Sequence, residues 1–315
     1  MSSRTYRRRP LAQIAFGGYM GRTRKALGRR LDSLAHWMLK FRIISIPAHR
    51  IANSSIAWSF ISRIDRIRRN RMRDRIISLG PEMIPQHISM IMDGNRRFAW
   101  SKSMNSDSGH KAGKERLKEV MKWVLELKVP YLTVYALSTE NLIGRNEDEL
   151  KTLFDLYESG LEEISVDPMI HENKVKVQVV GRIELLPERV RNAIDKAKDA
   201  TSHYDNFLFT VCLAYGGREE IVDAVKKIAS EHASGKIQLD SIDPSTISER
   251  LYTADLPDPD LVIRTSGEER VSNFLLWQIA YSELYFTDVH WPSFSRKDLY
   301  AAIEDYQLRK RRYGE

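Results

Sequence analysis

Four short segments of this sequence combine charged, amide and glycine residues in a pattern suited to binding phosphate groups. They are Asp93-Gly94-Asn95-Arg96-Arg97, Ser138-Thr139-Glu140-Asn141, Tyr215-Gly216-Gly217-Arg218, and residues 264–270, which read RTSGEER. Arginine side chains, and backbone N–H groups at glycine turns and helix starts, bind phosphate oxygens. A carboxylate among them is the kind of ligand that Mg²⁺ uses when it bridges to phosphates. Together the segments predict a magnesium-assisted diphosphate site.

Each of these segments follows an apolar, β-branched run that predicts a β-strand. The predicted strands are residues 87–92, 131–137, 174–180, 207–213, 261–264 and 284–289, and the predicted helices are 111–127, 147–164, 187–200, 218–231, 245–252 and 296–310. Strands that alternate with helices indicate a parallel sheet covered by helices. Ligands of open α/β sheets bind at the carboxyl ends of the strands, so we expect the four segments to meet at one edge.

The predicted fold class is therefore α/β. Residues 81–315 form a single domain with a central, mostly parallel six-stranded sheet surrounded by helices. Residues 1–80 form a basic helical N-terminal extension.

Several common enzyme classes are excluded because their motifs are absent. Residues 109–114 (GHKAGK) are one residue short of the P-loop spacing, and Glu115 follows where Ser or Thr is needed. No Gly-x-Gly-x-x-Gly follows a predicted strand, and no Gly-x-Ser-x-Gly occurs. The Asp-Asp-x-x-Asp motif of trans-type prenyl synthases is also absent. These absences argue against an NTPase, a dinucleotide enzyme, the usual α/β-hydrolase and a trans-type synthase.

Single residues of the pattern are also compatible with ordinary structural roles. Asp93-Gly94 is compatible with a plain turn after a strand, and Arg264 with a surface ion pair. His110 is compatible with a residue that opens a helix, and Glu283 with an exposed residue ahead of a strand. The joint occurrence of these residues favours the diphosphate site.

The charge of the chain is unevenly distributed. The 315 residues include 50 Lys and Arg against 42 Asp and Glu, a net charge of +8. Residues 1–80 hold 19 of the bases and three acids, a net charge of +16, which leaves −8 for residues 81–315. With 42% hydrophobic and 29% charged residues, a disordered polyelectrolyte is excluded. The single cysteine, Cys212, cannot form an internal disulfide, which favours a reducing compartment.

The basic extension contains a helical pattern typical of a membrane surface. Apolar residues recur at steps of four and three, at positions 27, 31, 34, 38 and 41, with Arg and Lys between them. A second helical pattern leads into the arginine-rich run 63–75. We interpret residues 1–80 as a membrane-associating segment, and a solvated basic tail and a mitochondrial transit peptide remain alternatives. Nucleic-acid binding is disfavoured because residues 81–315 are acidic and contain no recognisable nucleic-acid module.

Three longer segments resemble the signature segments of the cis-prenyltransferases, which include undecaprenyl and dehydrodolichyl diphosphate synthases. They read HISMIMDGNRRFA at 87–99, YALSTEN at 135–141, and DLVIRTSGEERVSNFLLWQ at 260–278, followed by ELYF at 283–286. The resemblance runs from about residue 85 to residue 314. It implies a Mg²⁺-dependent condensation in which an allylic diphosphate, typically farnesyl diphosphate, is extended by isopentenyl diphosphate units with cis double bonds. It also implies an apolar tunnel between helices for the growing hydrocarbon.

The resemblance also implies roles for individual residues. Asp93 would position Mg²⁺ on a diphosphate, and Glu283 would be its partner, either as a metal ligand or as a residue that supports the ligands from behind. The allylic diphosphate would contact Gly94, Asn95, Arg96, Arg97 and His110, and Asn95 and His110 would also assist leaving-group departure or proton transfer. The isopentenyl diphosphate would contact Arg264, Arg270 and Ser272. The loop between the two would be organised by Ser138, Glu140, Asn141 and Arg145.

Two further features concern the type of enzyme and its assembly. Arg96, which stands where bacterial members carry Gly, makes the motif similar to that of eukaryotic polyprenol enzymes. This implies a dolichol precursor for protein glycosylation and peripheral attachment to the cytosolic face of the endoplasmic reticulum, with lipid droplet and mitochondrion as alternatives. Arg312-Tyr313-Gly314 resembles the C-terminal motif of homodimeric members, in which Arg312 and Gly314 would reach the partner's site. A non-catalytic accessory subunit is the competing hypothesis, and the presence of Asp93, Asn95 and Arg97 favours the enzyme.

Overall fold

The structure is a computed structural model that describes residues 55–309, with the side chains of residues 55–65 and of residue 68 left out. The chain divides into two compact units, Met1–Asp65 and Arg66–Glu315. The amphipathic pattern at 27–46, Arg312 and Gly314 lie outside the described residues. No helix of residues 55–309 combines the length and apolar character needed to cross a membrane.

A six-stranded parallel sheet forms the centre of the larger unit. Its strands are β1 (His87–Ile91), β2 (Tyr131–Tyr135), β3 (Val175–Val180), β4 (Phe207–Cys212), β5 (Leu261–Arg264) and β6 (Glu283–Phe286). They lie in the order β3-β4-β2-β1-β5-β6, and every neighbouring pair is parallel. The predicted α/β class and the six strands are confirmed, and the sheet is parallel throughout rather than mostly parallel. Strand β6 starts one residue earlier than predicted and ends at Phe286, because the chain then turns to pair with the segment after β5.

Ten α-helices accompany the sheet within the described residues. They are α1 (Ser55–Ser78), α2 (Asn95–Ser101), α3 (Ser106–Glu126), α4 (Thr139–Gly144), α5 (Glu147–Ile164), α6 (Pro168–Glu172), α7 (Glu188–Thr201), α8 (Gly217–Ala233), α9 (Pro244–Ser248) and α10 (Arg296–Leu308). The short helices α2, α4 and α6 were not predicted, and α9 is shorter than expected. Helix α3 begins five residues earlier than predicted because the Asn105 side chain accepts a hydrogen bond from the Ser108 N–H at 3.0 Å and caps the helix.

The two faces of the sheet carry different apolar layers, because successive side chains of a strand point to opposite faces. Ile88 and Met90 of β1 belong to the larger buried cluster, which also contains Val120 and Val124 of α3. Ile91 belongs to a smaller cluster on the other side of the strand. Strands buried on both faces explain why the sequence shows continuous apolar runs rather than alternation.

The end of α1 is part of the folded unit rather than of a separate extension. Ile76 is fully buried, and its carbonyl accepts a hydrogen bond from Gln307 Nε2 of α10 at 3.1 Å. Arg75 lies 3.6 Å from Glu304 of the same helix. The division of the chain therefore falls between residues 65 and 66, whereas the charge pattern placed it at residue 80. The charge count missed this because the arginine-rich run also carries the apolar side chains that pack on the core.

Replacing Ile76 by Ala tests this packing. Loss of a fully buried side chain should lower the free energy of unfolding by about 2 to 5 kcal/mol, through lost burial and a residual cavity. Ile77→Ala is the matched control, since the neighbouring side chain is 45% exposed and should change stability little. Chemical denaturation of the full chain measures both. Equal stability of the two variants would contradict the packing of α1 described here.

Candidate active site

A cavity of about 1010 Å³ opens at the carboxyl edge of the sheet, as predicted. Its polar end is lined by Asp93, Gly94, Asn95, Arg96, Arg97, His110, Ser138, Glu140, Asn141, Arg145, Arg264, Arg270 and Ser272. Its apolar end lies between the sheet and helices α3 and α5, and it is lined by Leu117, Met121, Leu153, Leu156, Leu161, Ile164, Phe209 and Val211. Such a shape suits a ligand with a charged head and a hydrocarbon tail.

Asp93 lies at the centre of the polar end, two residues after β1. Its Oδ2 accepts hydrogen bonds from Arg264 Nη2 at 3.0 Å and from Arg97 Nη2 at 3.1 Å. Burial alone would raise the pKa of Asp93, but the hydrogen bonds and positive charges of Arg264 and Arg97 lower it below its usual value. The carboxylate is therefore ionised and partly exposed to the cavity.

Gly94 lets the chain turn from Asp93 directly into α2. Its φ of 103° lies in the left-handed region, where a side chain is strained. A Cβ there would also lie 2.7 Å from Ser266 Oγ and 3.0 Å from His290 Nδ1. Glycine at this position therefore keeps Asp93 close to the loop after β5.

Asn95 begins α2 and faces helix α3 across two glycines. A Cβ at Gly109 would collide with the Asn95 carbonyl, and a Cβ at Gly113 would collide with Asn95 Oδ1. That Oδ1 is buried without a hydrogen-bond partner among the described residues. Buried polar atoms are normally paired, so this oxygen is an exception among the described side chains.

Arg264 connects β5 to both Asp93 and the loop that follows. The residue is 5% exposed, and besides Asp93 its guanidinium binds Ser272 Oγ at 2.7 Å and the carbonyl of Arg270. Arg270 itself is largely exposed, and its Nη1 lies 2.5 Å from Glu268 Oε2. Arg97 Nη1 lies 3.1 Å from the other oxygen of Glu268. The structure thus brings the predicted ligands of both diphosphates to one end of the cavity.

His110, Arg96 and Arg145 converge on Glu149, a residue that sequence reasoning missed. Glu149 Oε1 lies 2.6 Å from Arg145 Nη1 and 3.4 Å from His110 Nε2, and its Oε2 lies 3.7 Å from Arg96 Nη1. The Glu149 N–H binds Asn146 Oδ1, the cap of α5, at 2.8 Å. The available signal was therefore an Asn with a Glu three residues later, which indicates only a helix start.

The charge state of His110 depends on these neighbours. Burial lowers the pKa of His110 below its usual value, and the positive charge of Arg145 lowers it further. The Glu149 carboxylate opposes both effects through its hydrogen bond and its charge. Arg145 and His110 line the cavity, so Glu149 positions them from behind.

The loop after β2 is held by a network around Asn273, a second residue that sequence reasoning missed. Ser138 Oγ caps α4 by accepting a hydrogen bond from the Asn141 N–H at 3.0 Å. Glu140 Oε1 accepts from Asn273 Nδ2 at 2.9 Å. Burial tends to raise the pKa of Glu140, but hydrogen bonds from its own backbone and from Asn273 lower it overall. These contacts agree with a loop-organising role, and Arg145 adds the link to α5.

The expected pairing of Glu283 with Asp93 does not occur as a direct contact among the described residues, and the metal-site role of Glu283 stays a prediction. Glu283 starts β6 and pairs in register with Leu261 at the amino end of β5, whereas Asp93 contacts Arg264 at the carboxyl end. The Glu283 carboxylate instead binds Arg309 at 3.0 Å. The expectation for Glu283 came from the family resemblance, and in the structure Glu283 is the first residue of β6.

A metal ion at this site would have Asp93 as its protein ligand. No group of three or more His, Cys, Asp or Glu side chains suited to a metal occurs among residues 55–309. Mg²⁺ commonly binds through one or two carboxylates, with substrate phosphates and water completing the shell. An ionised, partly exposed carboxylate beside arginines therefore fits Mg²⁺ bound together with a diphosphate.

Replacing Glu149 by Gln tests its effect on His110. Because the carboxylate raises the pKa of His110, its removal should lower that pKa further, which a titration of the imidazole by NMR measures. Glu147→Gln is the control, because Glu147 lies in the same first turn of α5 with an exposed side chain, and it should leave the pKa of His110 unchanged. A pKa of His110 that does not move in Glu149→Gln would contradict the contact.

Known proteins with similar sequences and structures show the family of this chain. The family described as "putative undecaprenyl diphosphate synthase" matches residues 91–314. A tritrans,polycis-undecaprenyl-diphosphate synthase (geranylgeranyl-diphosphate specific) of Methanopyrus kandleri is 52% identical over 231 residues, which cover 73% of this chain and 85% of that protein. The enzyme of the same name from Methanocaldococcus jannaschii is 46% identical over 239 residues, 75% of this chain and 85% of that protein.

Solved structures agree with these sequence relatives. Lavandulyl diphosphate synthase of Lavandula x intermedia, in complex with dimethylallyl diphosphate, superimposes with a TM-score of 0.70 at 34% identity and covers 74% of this chain and all of that one. A probable undecaprenyl diphosphate synthase of Campylobacter jejuni gives 0.60 at 28% identity and covers 73% and 99%. The two sequence relatives are archaeal, so the eukaryotic type expected from Arg96 stays a prediction. The chain belongs to the cis-prenyltransferase (undecaprenyl diphosphate synthase) family and is a transferase.

Proposed function

We propose that this cis-prenyltransferase adds isopentenyl diphosphate units in succession to an allylic diphosphate and releases a long polycis-polyprenyl diphosphate. The observation that carries the proposal is the single cavity with a polar end at Asp93 and Arg264 and an apolar end between α3 and α5. The diphosphates bind at the polar end. The growing hydrocarbon occupies the apolar end, where it is removed from water.

The charges at the polar end suit two diphosphates and one Mg²⁺. The cavity is lined by six arginines, Arg96, Arg97, Arg145, Arg218, Arg264 and Arg270, and by three carboxylates, Asp93, Glu140 and Glu268, so the arginines exceed the carboxylates by three. Loss of diphosphate from an allylic carbon leaves growing negative charge on oxygen. Preplaced arginines stabilise that charge more than they stabilise the ground state. Mg²⁺ at Asp93 would supply further neutralisation of the leaving diphosphate.

The names of the relatives favour a long allylic primer. The two archaeal enzymes described above are named as specific for geranylgeranyl diphosphate. We propose geranylgeranyl diphosphate as the preferred primer of this chain and farnesyl diphosphate as the alternative. A competition assay with both primers distinguishes them.

Purified full-length protein with Mg²⁺, detergent, isopentenyl diphosphate and either primer should make a long polyprenyl product without a partner protein. Asp93→Asn should lower this activity about 100-fold or more, because it removes the negative charge that holds Mg²⁺ against the leaving group. Asp199→Asn is the matched control, since that exposed side chain lies outside the cavity and should leave the rate unchanged. No product from the wild-type protein would refute the proposed function and would favour the accessory subunit. Full activity of Asp93→Asn would refute the metal assignment.

We also propose that the N-terminal residues attach the enzyme to the cytosolic face of the endoplasmic reticulum, where the product would serve as a dolichol precursor. Support comes from residues 1–54, which hold 12 Lys and Arg and one acid. Each base near an anionic surface contributes roughly 1 kcal/mol of binding free energy.

The similarity of the Arg312 and Gly314 motif to that of homodimeric members supports a homodimer.

Deleting residues 1–54 tests the attachment and leaves α1 intact. The shortened protein should no longer sediment with vesicles that contain anionic lipid, and it should keep its activity in detergent. Full-length protein in high salt is the control, because screening should release it as well. Equal vesicle binding of both proteins at low salt would contradict a membrane role for these residues.

A further inference from the structure

Glu268 lines the cavity between two arginines, Arg97 and Arg270, which the family resemblance assigns to different diphosphates. Its Oε1 lies 3.1 Å from Arg97 Nη1 and its Oε2 lies 2.5 Å from Arg270 Nη1. Each carboxylate oxygen of Glu268 thus pairs with one guanidinium group. Phosphate oxygens form charge-assisted hydrogen bonds of the same kind with arginines.

The loop after β5 holds the carboxylate in this position. Ser266 and Gly267 both have positive φ values, of 79° and 75°, and a Cβ at Gly267 would lie 2.9 Å from Asp288 Oδ1. The Ser266 N–H binds the Val289 carbonyl, and the Gly267 N–H binds the Thr287 carbonyl, each at 2.9 Å. The backbone just before Glu268 is therefore fixed, and beyond it the Arg270 carbonyl accepts a hydrogen bond from Arg264.

Both arginines that bind Glu268 are more exposed than Arg264, the buried partner of Asp93. The Arg264 side chain is only 5% exposed, whereas the side chain of Arg97, which binds both Asp93 and Glu268, is 37% exposed and that of Arg270 is 63% exposed. Ion pairs open to water are weak and easily exchanged. A diphosphate with several charges can therefore replace the single carboxylate of Glu268 on these two arginines.

We propose that Glu268 is an internal counter-ion that occupies the place of a phosphate group between Arg97 and Arg270 in the ligand-free protein, and that a bound diphosphate displaces it. This inference rests on the proposed function of the site. Every condensation joins the allylic carbon to isopentenyl diphosphate and releases one inorganic diphosphate and one proton, while the elongated product keeps the other diphosphate. The inorganic diphosphate must depart before the next isopentenyl diphosphate enters. Glu268 competes for the same arginines and so speeds this departure.

Binding of inorganic diphosphate in the presence of EDTA tests the proposal, with calorimetry of the wild-type protein, Glu268→Gln and Glu269→Gln. Glu269→Gln is a matched control because it makes the same charge change one residue away, on an exposed side chain outside the cavity. Glu268→Gln should bind diphosphate roughly fivefold more tightly than the control, since two exposed ion pairs no longer compete. Equal or weaker binding would overturn the proposal. It would mean that Glu268 only orients the two arginines, because removal of an orienting carboxylate would not strengthen diphosphate binding.

Steady-state kinetics give a second, independent readout. Glu268→Gln should lower both KM for isopentenyl diphosphate and kcat, because diphosphate is retained after each step. A raised KM with unchanged kcat would overturn the proposal.

Glu268→Asp keeps the negative charge on a side chain that is shorter by one methylene group. It should bind diphosphate with an affinity between those of the wild-type protein and Glu268→Gln. If the wild-type protein made no polyprenyl product, the proposed function would fail, yet the comparison of Glu268→Gln with Glu269→Gln would still decide this inference, since it needs no turnover.

Discussion

The contact between Arg264 and Asp93 is the interaction on which the rest of the site depends. Strands β1 and β5 are adjacent and parallel, with Ile91 opposite Arg264, so the arginine ends β5 beside the turn that carries Asp93. One guanidinium nitrogen binds the carboxylate, and another binds Ser272 and the Arg270 carbonyl. The register of two strands therefore fixes the acid and the basic loop relative to each other. Because the arginine is buried, removal of Asp93 would leave its charge uncompensated, a change that costs about 3 to 5 kcal/mol in buried pairs.

The separation of charge and apolar surface follows from the same architecture. Charged side chains come from the turns at the carboxyl edge of the sheet, whereas the apolar wall comes from one face of the sheet and from helices α3 and α5. Gly109 and Gly113 allow α2 to approach α3 closely, which brings Asn95 to the boundary between the two ends. A substrate with a diphosphate head and a hydrocarbon tail matches this boundary.

The sequence predicted the six strands and the edge at which the site lies, because apolar runs and the residues that follow them are local signals. It did not predict Glu149 or Asn273, since their contacts join segments far apart in the chain and each residue alone looks like a helix cap or a loop amide. The motif also did not show that Glu283 pairs with Leu261 at the amino end of β5, because a motif does not say which end of a strand a residue occupies. The end of α1 was assigned to the extension because the many arginines around it indicated an exposed segment, although Ile76 is buried.

The central claim is that Asp93, held by Arg264, binds Mg²⁺ for a diphosphate at the polar end of the cavity. A crystal structure of the full chain with Mg²⁺, isopentenyl diphosphate and an unreactive analogue of the allylic diphosphate tests it most directly. The account predicts Mg²⁺ at about 2.1 Å from an Asp93 carboxylate oxygen, with phosphate oxygens in its shell. It also predicts the hydrocarbon tail between α3 and α5. A metal ion bound away from Asp93, or a diphosphate bound outside this cavity, would contradict it.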